Sequence, residues 1–304
     1  MRCWTRGCDT EVSEAALPNN RIRSLSPALL LLQRLVRRPL VLISLIILVV
    51  MLASALGAPW IAPYAPRKMD VAHRLTAPSA VHWFGTDEFG RDVLTRCLYG
   101  ARLSLTVGFL VVIASLTCGT VLGVVSGYVR QLDGLLMRIT DALMAFPDIL
   151  LAIALMASLG ASLTDVVIAL GTVYTPRVAR VARGATLVLR ELQFIEAAEA
   201  LGASGRRVVV VHLLPNLVSP LLVQGTFVFA FSILTEAALS FLGAGVPPTS
   251  PTWGNMIASA QEYMQNAAWL ILAPGLCIVL TVLALQAVGD GLRDVLDPRL
   301  RRLT

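Results

Sequence analysis

Glu196-Ala197-Ala198-Glu199-Ala200-Leu201-Gly202, running on through Ser204-Gly205-Arg206-Arg207 to Leu214-Pro215-Asn216, is a polar, basic stretch set between long apolar runs. Leu187 to Leu201 contains no proline or glycine and is rich in alanine, leucine and glutamate, which predicts a helix. Leu192, Ile195, Ala198 and Leu201 fall at helical spacing on one side of it. Gly202 is placed to stop that helix, Ser204 to cap a second one from near Gly205, and Pro215 to break the second before the next apolar run. The expected product is two short helices meeting at a small-residue corner, where Ala197, Ala198 and Ala200 let another surface come close. On the residues alone, a helix lying on lipid headgroups is the competing reading.

Working outward, the chain is 56% hydrophobic and only 14% charged, against about 25% charged in an ordinary soluble domain. So much apolar surface calls for lipid. Six spans are expected: Pro39 to Ile61, Leu103–Tyr128, Ile139–Leu159, Asp165–Val181, Leu217–Leu242 and Trp269–Val288. Pro176 and Arg177 interrupt the fourth, which is expected to kink and end with its arginines at the interface. Ala53-Ser54-Ala55 resembles a cleavage site, but the length of the first run and the tail before it favour an uncleaved helix. Residues 1–26 read as a mobile cytoplasmic tail and 27–61 as a lead-in and first span. Residues 62–102 read as an extracytoplasmic loop, 103–288 as a five-helix core holding the cytoplasmic loop 184–216, and 289–304 as a second cytoplasmic tail.

Orientation follows from the basic residues, which concentrate in cytoplasmic loops. The N-terminal tail, the loop after the second span, the stretch from Arg177 to Arg207 at and beyond the end of the fourth span, and the C-terminal tail together hold 19 of the 25. The others lie in 62–102 beside Asp70, Asp87, Glu88 and Asp92. This distribution also accounts for the net charge of +6 without nucleic acid, and no basic patch is interleaved with aromatics.

Several chemistries lack their residues. The single lysine, Lys68, has no glycine loop, so the chain is not a P-loop ATPase. His73, His82 and His212 are far apart, and Cys97, Cys118 and Cys277 are isolated, so no metal or catalytic cluster is visible. Glu236 is the clear ionisable residue within a span, a candidate for function or for a hydrogen bond holding the bundle. Asp290 is expected to be solvated near the cytoplasmic end of the sixth.

The quoted stretch resembles the EAA loop of ABC importer permeases. Glu196-Ala197-Ala198, Gly202 and Leu214-Pro215 stand at that loop's spacing, and His212 with Leu214-Pro215-Asn216 looks like its peptide and nickel branch. Trp83-Phe84-Gly85-Thr86-Asp87-Glu88-Phe89-Gly90-Arg91-Asp92 is similar to the outer segment of C-type permeases in dipeptide, oligopeptide and nickel importers. Its plain reading is a pair of turns with Asp87 capping the next helix. Glu236-Ala237-Ala238-Leu239-Ser240-Phe241-Leu242-Gly243, with Trp253-Gly254 beyond, is likewise similar to that family.

The resemblance implies an all-α polytopic membrane protein of the type I ABC importer permease fold, with six transmembrane helices and both termini cytoplasmic. It implies a non-catalytic subunit that binds no cofactor itself, ATP and magnesium belonging to two partner P-loop ATPases. A B-type permease would complete the pathway, and an extracytoplasmic binding protein would deliver a di- or oligopeptide. ATPase coupling would fall to Glu196, Ala197, Ala198, Leu201, Gly202, His212, Leu214 and Pro215. The pathway or outer gate would use Glu236, Ser240 and Phe241; the binding protein would meet Asp87, Arg91, Asp92 and Trp253. A nickel-chelate importer is the nearest alternative. An ion-driven carrier, which calls for more intramembrane acids or a repeated half, and a membrane enzyme, which calls for a catalytic set, are the rivals from other classes.

Overall fold

The computed structural model describes Leu35 and residues 38–296, so the expected tail at 1–26 and the end of the C-terminal tail lie outside the described residues. The described chain is helical, with a lone antiparallel bridge, Thr86 to Asp92, as its extended pairing. Helix α1 (Pro39–Ile61) has its expected limits. Pro39 opens it, where a missing N–H costs nothing. Leu40, Ile43, Ile46, Val49 and Val50 stay exposed, as on a helix facing lipid.

Helix α2 (Val93–Tyr128) starts well before the expected Leu103. The Asp92 carboxylate accepts from the Thr95 N–H at 2.8 Å and starts the helix there, and Thr95, Arg96 and Cys97 are buried in its first turns. It is therefore Asp92, not Asp87, that caps this helix.

The expected third span is two helices, α3 (Arg130–Met144) and α4 (Asp148–Leu159), bent by 93°. The break falls at Phe146-Pro147, where proline drives its predecessor out of the helical region.

Helix α5 (Leu163–Arg190) opens on a capping box between Ser162 and Asp165. It does not end near Val181 but runs through Pro176 to Arg190, because Tyr174, Val178, Ala179, Ala182 and Thr186 are all buried against the bundle. Its arginines are paired rather than left at an interface. Arg177 donates to Asp148, Arg180 to Asp141 at 2.7 Å, and Arg183 to both oxygens of Asp133 at 2.6 Å. The bent α3–α4 pair thus supplies an acid for each.

Helix α6 (Gln193–Ala200) is short, and α7 (Gly205–Phe241) is long, with a π-helical stretch at Val208–Leu213. Pro215 does not break α7. The wider π turn, closed by Leu214 N–H to the Val209 carbonyl, makes room for a residue with no donor. The expected outer loop 243–268 contains helix α8 (Trp253–Ala260), capped by Thr252. Helix α9 (Trp269–Leu296) begins as expected and continues past Val288, with Asp290 exposed on it.

Helices α1, α2, α7 and α9 are each long and apolar enough to cross a membrane, and the α3–α4 pair qualifies when taken together. Charged α5 does not, yet it sits inside the bundle. Val107 and Val111 of α2, Leu170 and Tyr174 of α5, and Val228 and Leu239 of α7 form one core. Ala55, Ile233, Trp253 and Ile278 form a second, joining α1, α7, α8 and α9.

The closest approach is between α2 and α5. A β-carbon on Gly119 would lie 2.5 Å from Val178 Cβ, one on Gly123 2.4 Å from the Ala179 carbonyl oxygen, and one on Gly127 2.8 Å from Thr186 Cβ. Gly123→Val is expected to destabilise the protein by about 1–3 kcal/mol. Gly134→Ala in α3, where nothing lies within 4 Å, serves as the control. Thermal unfolding of the detergent-solubilised protein measures both, and equal midpoints would show that the two backbones can separate freely.

Candidate functional site

The corner between α5 and α7 is held from below and bare above. The expected continuous helix Leu187–Leu201 breaks at Glu191 and Leu192, and α6 begins after an extended Leu192. No local breaker causes this. The turn lets Ile195 (1% exposed) pack with Val208 and Leu213, so tertiary burial overrides propensity. Of the four residues expected on one side of that helix, Ile195 alone is buried. Leu192 and Leu201, at the two caps of a short helix, point outward, and Leu201 is 89% exposed.

The far end of α6 closes as expected on Gly202, whose φ is +84°. Gly202 N–H donates to the Glu199 carbonyl at 2.9 Å and Ala203 N–H to the Ala198 carbonyl at 3.0 Å, the paired bonds of a Schellman turn. Ser204 precedes the next helix but makes no side-chain cap. Glu196, Ala197 and Gly202 are exposed and Ala198 is half-buried. His212 is half-buried with its ring 6.3 Å from that of Phe194, and its carbonyl accepts from Asn216 Nδ2 at 2.6 Å. That bond satisfies a carbonyl beside exposed Pro215, while Leu214 is half-buried. From below, Tyr128 Oη donates to Glu199 at 3.3 Å and Arg190 to the Gly127 carbonyl at 3.1 Å.

At the other end of the bundle, Asp87 organises the Trp83–Asp92 segment. Its carboxylate accepts from the N–H groups of Phe89 and Arg91 and from Arg91 Nε at 2.6 Å. Gly90 closes that turn at φ +72°, against the Asp70 carbonyl. Asp92 also meets His82 Nδ1 at 2.9 Å. Burial holds the Glu88 carboxyl above the usual glutamate value, and neighbouring Asp87 pushes the same way. Trp253 is fully buried, its indole donating to the Cys97 carbonyl at 3.1 Å. Asp87, Asp92 and Trp253 therefore form internal supports, and Arg91 is largely covered; the exposed apolar side chains in Trp83–Asp92 are Trp83, Phe84 and Phe89.

Glu236 is 1% exposed. One oxygen accepts from Ser240 Oγ at 2.9 Å, and the other has no partner among the described residues. Ser240 is buried beside it and Phe241 is half exposed on the next position. The structure also brings Cys97 and Cys277, isolated in sequence, into side-chain contact. Among the described residues, no group of three His, Cys, Asp or Glu is disposed to hold a metal.

The family model for the inner-membrane component of binding-protein-dependent transport systems matches residues 119–302, a span that contains the whole corner. The chain belongs to that family. A model for the N-terminal transmembrane domain of oligopeptide transport permease C matches residues 26–78. A peptide transport system permease protein of Brucella suis biovar 1 is 48% identical to this permease, over 91% of this chain and 93% of that protein. The dipeptide transport system permease protein DppC of Alkalihalophilus pseudofirmus is 43% identical, over 93% and 94%. Among solved structures, the inward-facing MetNI methionine ABC transporter shares the fold, with a TM-score of 0.56 and 21% identity over 66% of this chain and 97% of that one. The permease is thus a multi-pass, non-catalytic membrane subunit of an ABC importer.

Sequence reasoning missed the acid partners of the permease's α5 arginines. The signal was present: Arg177, Arg180 and Arg183 recur at one-turn spacing, and Asp133, Asp141 and Asp148 precede them in the neighbouring segment.

A test of the corner follows from Gly202. A side chain there meets no atom within 4 Å, so Gly202→Ala is expected to cost only the left-handed backbone penalty, about 1–2 kcal/mol. Hydrogen exchange at the Ala203 amide should quicken about 5–30-fold, with Gly202→Asn in between. Wild-type exchange in the alanine variant would mean that the Schellman turn does not hold the helix end.

Proposed function

We propose that this permease carries di- or oligopeptides as half of a translocation pathway, completed by a B-type permease. The observation that carries the reading is the 43–48% identity, over nearly the whole chain, to permeases named for peptide and dipeptide transport. In this reading α5 is also a span, its arginines screened by the α3–α4 acids, giving six spans with both termini cytoplasmic. The distribution of basic residues supports that orientation.

The 187–215 corner docks in the paired ATPases, with Glu196, Ala197, Ala198, Leu201 and Gly202 at the contact and His212, Leu214 and Pro215 shaping its base. An 89% exposed leucine at one end of α6, with exposed Phe194 at the other, is the kind of apolar surface that a partner groove covers. Closure of the ATPases can move the spans only if their contacts with this surface differ between two states. The binding protein meets the outer segment supported by Asp87, Arg91, Asp92 and Trp253, and Glu236, Ser240 and Phe241 belong to the outer gate or its frame.

Dipeptide uptake in cells carrying the whole importer tests the substrate. Radiolabelled dialanine is expected to accumulate and nickel chelate not to; accumulation of nickel alone would replace the peptide reading. Glu196→Lys and Gly202→Asp are expected to lower uptake about tenfold or more with normal membrane insertion. Full uptake by either would remove the docking assignment. For Glu236→Gln, altered uptake with the ATPases still bound is expected; unchanged uptake with a lower unfolding midpoint would make it a strut.

A further inference from the structure

The outer segment holds more positive charge than its own acids use. Arg91 is fully engaged, donating to Asp87 at 2.6 Å and to Glu88 at 3.2 Å. Arg96 is not. Its side chain is 6% exposed, and its nearest carboxylate oxygen, on Asp87, is 3.6 Å away and already accepts from Arg91. At that distance Asp87 offers it a nearby opposite charge rather than a close hydrogen bond.

A guanidinium presents five donors in a planar fork, which a carboxylate or phosphate can accept in pairs. Beside Arg96 opens a cavity of about 300 Å³, which Arg91 also lines and which exposed Arg67 and Arg102 border. Against these four cations stand two acids, Asp87 and Glu88. The volume suits one end of a molecule rather than a whole oligopeptide.

We infer that this cavity is an oxyanion site, in which Arg96, with Arg102 and Arg67 at the mouth, binds a carboxylate or phosphate group from the outer side. A forked guanidinium matches either group in the same bidentate way. Two sources offer that chemistry: the free carboxylate of a peptide, or the phosphate of an anionic lipid. Arg102 immediately precedes the apolar part of α2, at the level where headgroups lie. The inference rests on the proposed topology for the side of the membrane, and on the peptide reading only for one of the two sources.

The experiment uses the complete importer in phosphatidylcholine nanodiscs, comparing wild type with Arg96→Gln and with Arg102→Gln. The latter changes an exposed position and keeps the test open should the buried variant misfold. One arm adds phosphatidylglycerol and reads bound lipid by native mass spectrometry. The other, with the same importers in sealed phosphatidylcholine vesicles, reads transport of dialanine against dialanine amide. A fall of about tenfold or more in phosphatidylglycerol retention, with phosphatidylcholine unaffected, is expected if lipid is the source. A comparable loss of the acid-over-amide preference is expected if the peptide is. Wild-type values in both arms for the folded variants would overturn the site and leave Arg96 a structural cation. Should the wild-type importer move neither dipeptide, the peptide reading fails on its own and the lipid arm decides the site.

Discussion

The contact between the backbones of α2 and α5 is the constraint from which the rest of this structure follows. In lipid, apolar side chains gain nothing by leaving their surroundings for one another, so helices associate through close packing and polar contacts. Gly119, Gly123 and Gly127 recur every four residues on one face of α2 and leave nothing between it and the carbonyls of Thr175, Ala179 and Arg183. Because this seam reaches the last turn of α2, it sets Gly127 and Tyr128 under the corner, where they meet Arg190 and Glu199. The bare upper surface of the corner is therefore referenced to two packed helices rather than to a free loop.

Having α5 in the middle of the bundle creates a second requirement. A helix with arginines at 177, 180 and 183 would be expensive to hold against lipid unless each charge were matched. The bend at Phe146-Pro147 lets α3 and α4 follow α5 on its charged side and present Asp133, Asp141 and Asp148 in turn. These side chains are 27–59% exposed, so each pair adds little net stability in water. Their larger contribution is to register: the three pairs fit one alignment of the bent helices along α5.

Features set by local covalent chemistry were legible in the sequence. Pro39 marks the start of α1, Gly202 the end of α6, and the apolar run from Trp269 the start of α9. Features set by a distant partner were not. The hydropathy break at Arg96 and Arg102 hid the outer turns of α2, because nothing local says that Arg96 is buried beside Asp87. Asp87 and Asp92 are equally good caps by residue type, and the tight turn at Gly90 decides between them. Leu192 and Leu201 fall on one side of the helix by spacing, but that side presumes an unbroken helix, and the burial of Ile195 breaks it. At the candidate site the motif spacing located the corner, whereas the exposed face of that corner depended on this break. Helix α8 was missed because its eight residues are too few to show a period, and its Trp253 is buried against α2 from far along the chain.

The two ends of the molecule to which function is proposed are the two ends of one helix. Asp92, which caps α2, is fixed within the outer segment, and Tyr128, its last residue, sits under the corner. Thirty-six residues of unbroken helix span about 54 Å, more than a bilayer's hydrocarbon thickness. A rod of that length carries a displacement at one end to the other without a chain of intermediate side-chain rearrangements. The glycine seam makes α5 travel with it, and the ion pairs make α3 and α4 travel with α5. The apolar tip at Leu201 offers too little area to reshape a packed bundle by itself. In the proposed docking it would have only to favour one position of a packed body, and the seam between α2 and α5 is what holds that body together.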